Sequence, residues 1–488
     1  RHTRYGTVTG VQTCALPISG LEKYPRADHV ADVDGDTTPQ TEPTSQFVHG
    51  CMLTGCGAPG AYATLRRMNT KTRLVPALAA FLSLLSITAI AAGGEDAALR
   101  HARAVLASAI LIDGHNDLPM AIKRNAAAPS DVAAYDLRAK TKGDTDLARL
   151  RAGGLGAQFW SVYIPGEGSG PYAKQQLEQI DIARRVIERY PDAFMFAGSV
   201  ADVRRAKRAG KIASMLGMEG GYGLENSIGA LRAYYDLGVR YMALTHNAHL
   251  DWADAAAPLQ PRNKGLTPFG EEVVREMNRL GMLVDLSHAA PSTMSDALRV
   301  AQAPVIFSHS SARAVCNVPR NVPDEILQKL PQNGGVVMVT FVANFINCDV
   351  DKVLTPALAE IGLRARAAAT PEEAERVRRE GYAAIKLPKT TIAMVADHIE
   401  HIRQVAGVDH VGIGGDYDGN EWWPEGLEDV SGYPQLFAEL IRRGWTDTEL
   451  RKLAGENLLR AWSEAEKVAV RLQRERQPST LMFTPPAS

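Results

Sequence analysis

Short apolar runs alternate with amphipathic stretches along most of this chain, and the alternation predicts a fold. Eight runs stand out: 109–119 (AILIDGHNDLP), 155–165 (LGAQFWSVYIP), 212–220 (IASMLGMEG), 239–247 (VRYMALTHN), 282–288 (MLVDLSH), 304–310 (PVIFSHS), 335–342 (GVVMVTFV) and 410–419 (HVGIGGDYDG). Each is nearly continuous in apolar character, as strands covered on both faces of a parallel sheet must be. Helical periodicity separates them at 173–190, 225–237, 267–280, 292–302 and 388–406. Strand–helix alternation implies right-handed crossovers, and eight strands favour closure into a (β/α)8 TIM-like barrel over an open sheet. An Ala-, Arg- and Glu-rich segment at 353–386 reads as a helical insertion after the seventh run. Helices at 434–443 and 447–462 are expected to close the fold. The tail from about 476 is expected to be disordered.

The polar residues inside these runs carry the next inference. His115 and Asp117 end the first run, Glu219 the third, His246 the fourth, His288 the fifth, His309 the sixth and Asp416 the eighth. In a β/α barrel the C-terminal strand ends converge on one mouth, where active sites are built. Burying so many ionisable groups unpaired costs several kcal/mol each, and metal coordination removes that cost. His115-Asn116-Asp117 is an H-x-D pair whose side chains alternate to one side and can share a cation. Alone it is a weak signal; with ligand-type residues at four later strand ends it is a strong one. His288 and His309 each follow an apolar strand that ends in Ser-His. Taken singly, either could be a hydrogen-bonded core histidine. Glu219 sits before two glycines that permit close approach, and its two oxygens can bridge two ions about 3.5–4 Å apart. That assigns His115 and Asp117 to one ion, His288 and His309 to the other, and Glu219 to both.

Composition narrows the function classes. The chain has 488 residues, 45% hydrophobic and 22% charged, with a formal net charge of −1. No global basic field exists to collect nucleic acid or anionic lipid, and the run Arg376–Arg379 reads as a solvated helix face. Residues 1–67 lack any sustained period and are expected to form no packed core. Their opening, GTVTGVQTCALPIS, resembles translated sequencing-adapter read-through, so the expected start is Met68. From there Lys71 and Arg73, a 17-residue apolar stretch and small residues ending at Ala92 give the three-part layout of a secretory signal at 68–92. A retained anchor is the competing reading, but the apolar stretch is at the short end for spanning. The protein is accordingly expected to be exported, periplasmic or secreted, with a domain over 93–475. In an oxidising compartment Cys316 and Cys348 either pair or remain two buried thiols.

DGHNDLP, GMEGG, LTHN, LSH, FSHSSA and GIGGDYDG, in this order, resemble the membrane (renal-type) dipeptidases, peptidase family M19 of the amidohydrolase superfamily. The match covers about 105–465. The resemblance implies a metal-dependent hydrolase with two Zn2+ per chain on the five ligands above. It also implies that His246 stabilises the oxyanion and contacts substrate, that Arg320 binds the substrate carboxylate, and that Asp416 shuttles a proton. It places a disulfide at Cys316 and Cys348, and it implies a dipeptide substrate, tolerance of a D-residue at the second position and a possible homodimer. Asp418 competes with Asp416, which is preferred because it ends the apolar run directly. Hydrolysis of β-lactams, N-acyl amino acids or lactones at the same site is the alternative chemistry; a non-catalytic metal- or peptide-binding protein is the alternative class. Two features are set aside. His398 and His401, three apart on a helix, read as a solvated face. Asp416–Asn420 and Asp32–Asp36 echo a calcium loop but lack the glutamate at its twelfth position.

Overall fold

The computed structural model describes residues 96–166, 170–258 and 260–485; the expected leader and signal segment, and the calcium-like loop at 32–36, lie outside them. Nine parallel strands form the sheet: β1 (Leu111–Asn116), β2 (Leu155–Ser161), β3 (Phe194–Phe196), β4 (Ile212–Met218), β5 (Val239–Ala243), β6 (Leu283–Asp285), β7 (Ile306–Phe307), β8 (Val336–Val339) and β9 (Val411–Ile413). Pairing of β2 with β4 and of β1 with β9 closes eight of them into a barrel, the (β/α)8 architecture expected. The ninth, β3, was not anticipated. It pairs with Ile212–Ser214 at the start of β4, and β5 takes over the same edge at Leu216–Met218. Three residues are too few for periodicity to reveal.

Most helices fall where amphipathic spacing put them, within a few residues; the closing one, expected over 447–462, is instead Asp447–Arg451 and, beyond a π turn, Asn457–Glu475. Pro268–Leu280 illustrates the local rules: the Thr267 hydroxyl accepts from Gly270 N–H, Pro268 fills the first turn, and Gly281 ends the helix at φ +82°. The 353–386 insertion is two helices, Cys348–Arg366 and Pro371–Ala384. The second buries no side chain, in keeping with a solvated Arg376–Arg379 face. Helices Ala97–Ser108 and Val200–Arg208 were not anticipated.

Two expectations are corrected. The tail is not disordered over 476–485: it forms no helix or strand, yet Ser479 is buried, its N–H donates to Glu276, its carbonyl accepts from Arg232, and Phe483 packs edge-on against Phe269. Prolines and the lack of any periodicity hid these anchors. His398 is not on a solvated face either. It is fully buried, with Nδ1 accepting from Ala312 N–H and Nε2 donating to the Ile346 carbonyl, so insertion of the helix between two loops satisfied the imidazole with backbone.

Inside the barrel an aromatic column runs from base to mouth. Trp462, on the closing helix Asn457–Glu475, meets Phe159 at 5.8 Å, Phe159 meets Tyr241 at 4.9 Å, and the Tyr241 hydroxyl reaches His115. The interior is thus filled at its N-terminal end and polar only at its C-terminal end, which is where the site lies.

Candidate metal centre

All seven strand-end residues singled out above meet at one place. His115 Nε2 lies 3.3 Å from Asp117 Oδ2, 3.5 Å from Glu219 Oε2 and 3.8 Å from Asp416 Oδ1. Glu219 Oε1 lies 3.1 Å from His288 Nε2, 3.5 Å from His309 Nε2 and 3.7 Å from His246 Nε2. The two carboxylate oxygens of Glu219 therefore face two different ligand sets.

Backbone geometry places these groups. Beyond β1 the chain pairs with the segment after β9: Asp117 N–H donates to the Tyr417 carbonyl and Asp416 N–H to the His115 carbonyl, which sets Asp416 beside His115. His288 and Asp416 adopt φ of +66° and +70°, a left-handed conformation that costs non-glycine residues about 1 kcal/mol or more and concentrates at functional sites. Gly419 is required for space, since a Cβ there would lie 2.4 Å from Asp117 Oδ2 and 2.6 Å from Asp416 Oδ1.

The imidazole tautomers follow from the outer partners. Tyr241 O–H donates to the Gly114 carbonyl (3.1 Å), so its oxygen accepts from His115 Nδ1–H (2.8 Å). Ser308 O–H donates to Asp285 (2.5 Å) and accepts from His309 Nδ1–H (2.9 Å). Asn247 Oδ1 accepts from His288 Nδ1–H (3.0 Å). All three rings thus aim Nε2 inward, the atom that metal binding needs. His288 Nε2 and His309 Nε2 sit 2.9 Å apart with no hydrogen between them in these tautomers. His115 Nε2 and Asp117 Oδ1 are buried without a hydrogen-bond partner. Facing lone pairs and orphaned acceptors fit a bound metal cation.

The charges agree. Burial opposes ionisation of Glu219, but the imidazoles of His115 and His246 outweigh it and hold the carboxyl well below the usual range. Burial, with Arg320 among the nearby charges, keeps His288 and His309 well below the usual imidazole range and so neutral. His115 is held above that range despite burial, by Tyr241, Glu219 and Asp117: the local field favours positive charge. Asp416 is pushed well up by burial, reinforced by Asp117 and Glu219.

Arg320 lines the cavity wall, largely buried, donating to Ser310 Oγ (3.3 Å) and the His309 carbonyl (3.1 Å), with Phe345 under its guanidinium at 5.1 Å. Its Nε has no partner. Burial lowers its pKa to about 10, so it stays cationic at neutral pH. A cavity of about 340 Å³ joins Arg320 to Asp117, Glu219, His246, His288 and Asp416. A disulfide joins Cys316 to Cys348, with Cα atoms 5.3 Å apart, tying the Arg320 loop to the insertion helix. That helix places Leu358 on the cavity wall. Asp418 lines the same cavity but exchanges hydrogen bonds with Asp144 (2.8 Å each way). His401 meets Asp324 at 2.8 Å, remote from the centre.

Sequence reasoning missed the supporting residues Asp113, Tyr241, Asn247, Asp285 and Ser308. An acid inside an apolar strand was a usable signal for two of them: Asp113 accepts from His115 N–H and Gly415 N–H, and Asp285 from the N–H groups of Ser287 and Ser308. Tyr241 offered none, because inward-facing tyrosines are ordinary core residues.

Barrel, mouth and the clustered imidazoles and carboxylates are those of a metal-dependent hydrolase. Residues 99–476 match the family described as membrane dipeptidase (peptidase family M19), and the chain belongs to that family. It is a membrane dipeptidase-type metallopeptidase. Among solved structures, it is similar to a probable dipeptidase, PvdM, from Pseudomonas aeruginosa: 25% identity, TM-score 0.66, covering 76% of this chain and 99% of that one. It is also similar to a metallopeptidase of family M19 called dipeptidase AC, at 25% identity and TM-score 0.59 over 73% and 98% of the two chains. A metallopeptidase from Rhodobacter sphaeroides, solved with a phosphinate mimic of L-Ala-D-Ala, shares the fold at 24% identity and TM-score 0.59 over 73% and 99%.

Proposed function

We propose that this metallopeptidase is a two-zinc dipeptidase that hydrolyses L,L and L,D dipeptides. The supporting observation is the division of Glu219: Oε2 towards His115 and Asp117, Oε1 towards His288 and His309. Mixed imidazole and carboxylate donors suit zinc. When bound, the pair of ions supplies Lewis acidity, which acidifies water and polarises a carbonyl.

The chain's own residues do the rest. Arg320, at the cavity wall, directs its positive charge at the free carboxylate of the substrate, fixing which end enters first. His246, beside Glu219 at the cavity wall, donates to the oxygen of the scissile carbonyl as negative charge develops, a contribution of roughly 2.7–4 kcal/mol for such donors. Asp416, ionised at the start of the cycle and given a raised proton affinity by burial, takes the proton released as water adds and delivers it to the departing amine. The C–N bond breaks, the acid product keeps the water oxygen, and the amine keeps its proton. The cavity of about 340 Å³ is at the small end of ligand pockets, which suits two residues better than a longer peptide.

A panel of L,L and L,D dipeptides assayed with and without chelator tests this. Hydrolysis of both series, abolished by chelator and restored by Zn2+, is expected; hydrolysis that survives chelation would refute it. Arg320→Ala separates dipeptidase from lactonase or β-lactamase chemistry. It is expected to lower kcat/KM on dipeptides by about 10–100-fold while sparing substrates without a carboxylate.

Export forms part of the same proposal. A disulfide in the structure supports an oxidising compartment, and among the described residues no helix is long and apolar enough to cross a membrane. Amino-terminal sequencing of protein from its native host is expected to begin near Gly93; a terminus that retains 74–90 would refute cleavage.

A further inference from the structure

The end of the barrel opposite the metal centre carries a second, differently charged cavity. It holds about 640 Å³ and lies where the strands begin: Ala109 and Ile110 lead into β1, and its floor is Leu459 of the closing helix. Arg204, Lys207, Arg208, Arg451, Arg460 and Lys467 line it, against two acids, Glu456 and Glu464. A neighbouring cavity of about 300 Å³ shares Lys207 and adds Arg151 and Lys211, with no acid at all. In a chain of net charge −1 this is a local concentration of one sign.

Partners within the chain leave most of that charge uncompensated. Glu464 pairs with Lys467 at 3.0 Å, and Arg451 reaches Asp447 only at 4.0 Å. Arg460 donates to the carbonyls of Gly334 and Asp409, and Lys207 to that of Ala107, contacts that orient a cation without neutralising it. Arg204 and Arg208 make no ion pair or side-chain hydrogen bond among the described residues. Gathering like charges around a concave surface raises the local potential and concentrates anions. Guanidinium forks match phosphate oxygens in pairs.

We propose that this basal cavity is a binding site for a phosphate-bearing anion, approached from the face of the barrel remote from the dipeptide. The shared chemistry is an anionic phosphate group, supplied either by a soluble compound or by an anionic lipid headgroup. Arg204 and Arg208, free of structural duties, would contact it directly; Lys207 and Arg460, held by backbone carbonyls, would line its walls.

The test uses the metal-loaded enzyme at 0.15 M salt. Pyrophosphate binding is measured by calorimetry, and co-sedimentation is measured with phosphatidylglycerol vesicles against phosphatidylcholine ones. Binding in one arm or both, weakened about tenfold or more by R204E/R208E, is expected; loss of one charge-assisted contact is roughly that large. The arm that responds identifies the source. Dipeptide hydrolysis without added anion should be unchanged in the double variant, which also reports that it folds. Absence of binding in both arms, or binding that the double variant leaves intact, overturns the proposal. Pyrophosphate held only through the metal centre falls in the latter class.

Discussion

At the scale of single residues the centre depends on groups that never touch a substrate. Tyr241 fixes the tautomer of His115 through a hydroxyl shared with the Gly114 carbonyl. Tyr241→Phe removes that acceptor and the donor to the Gly114 carbonyl, while the ring stays packed on Phe159. Metal affinity is expected to fall by about 10–100-fold, as with other partners of ligand histidines, with thermal stability of the metal-free protein nearly unchanged. A competition titration against a chromophoric chelator reads this, and unaltered affinity would contradict the tautomer argument. Asp416→Asn makes the opposite separation. Metal content should be retained while kcat drops by about 100-fold or more, the usual size of a lost general acid–base group. The ligand residues were legible in the sequence because His, Asp and Glu at the ends of apolar runs have no inexpensive structural use. Tyr241, Asn247 and Ser308 were not, since their role lies in a hydroxyl or amide contact that only the assembled barrel creates.

At the scale of elements, the segment between β7 and the insertion helix is held by three links. The disulfide joins Cys316 to Cys348, His398 ties Ala312 to Ile346, and Asn321 donates to the carbonyls of Cys316 and Phe345. Arg320 sits among them. Cys316→Ser opens a loop with a sequence separation of 32 and is expected to cost about 3–4 kcal/mol on the chain-entropy account. KM for dipeptides should also rise as Arg320 loses its frame; denaturant titration and steady-state kinetics check the two parts. His398 predicts a pH dependence. Burial lowers its pKa to about 4, below the ordinary value of about 6.5 in an unfolded chain. The unfolded state therefore takes up the proton first as pH falls. Stability is fully present above about 6.5 and is lost towards about 4, a change of up to about 3 kcal/mol. His398→Gln lacks this group, so the stability gap between wild type and variant should narrow by that amount between pH 7 and pH 4. A gap that is constant with pH would contradict the assignment. Helix positions were readable from 3.6-residue spacing, whereas β3, with three residues, and the anchors of the 476–485 tail depend on contacts distant in sequence.

At the scale of the whole molecule, the barrel divides its labour between ends. The base is sealed by Trp462, Phe159 and Leu458 and carries positive charge outside; the mouth gathers acids and imidazoles around two facing lone pairs. Folding assembles that mouth from strand ends up to about 300 residues apart, so metal bound only by the folded chain stabilises it. At a free concentration a hundredfold above Kd the gain is about 2.7 kcal/mol, and chelation should lower the unfolding midpoint accordingly. The architecture was readable because eight apolar runs leave a barrel few competitors; the charge of the base was not, because its cations come from separate helices with ordinary surface composition. The most direct test of the central claim is anomalous diffraction at the zinc edge from crystals of the metal-loaded protein. Two peaks about 3.5–4 Å apart, one at Glu219 Oε2 with His115 and Asp117 and one at Oε1 with His288 and His309, are the predicted result. A single peak, or peaks away from Glu219, would contradict it.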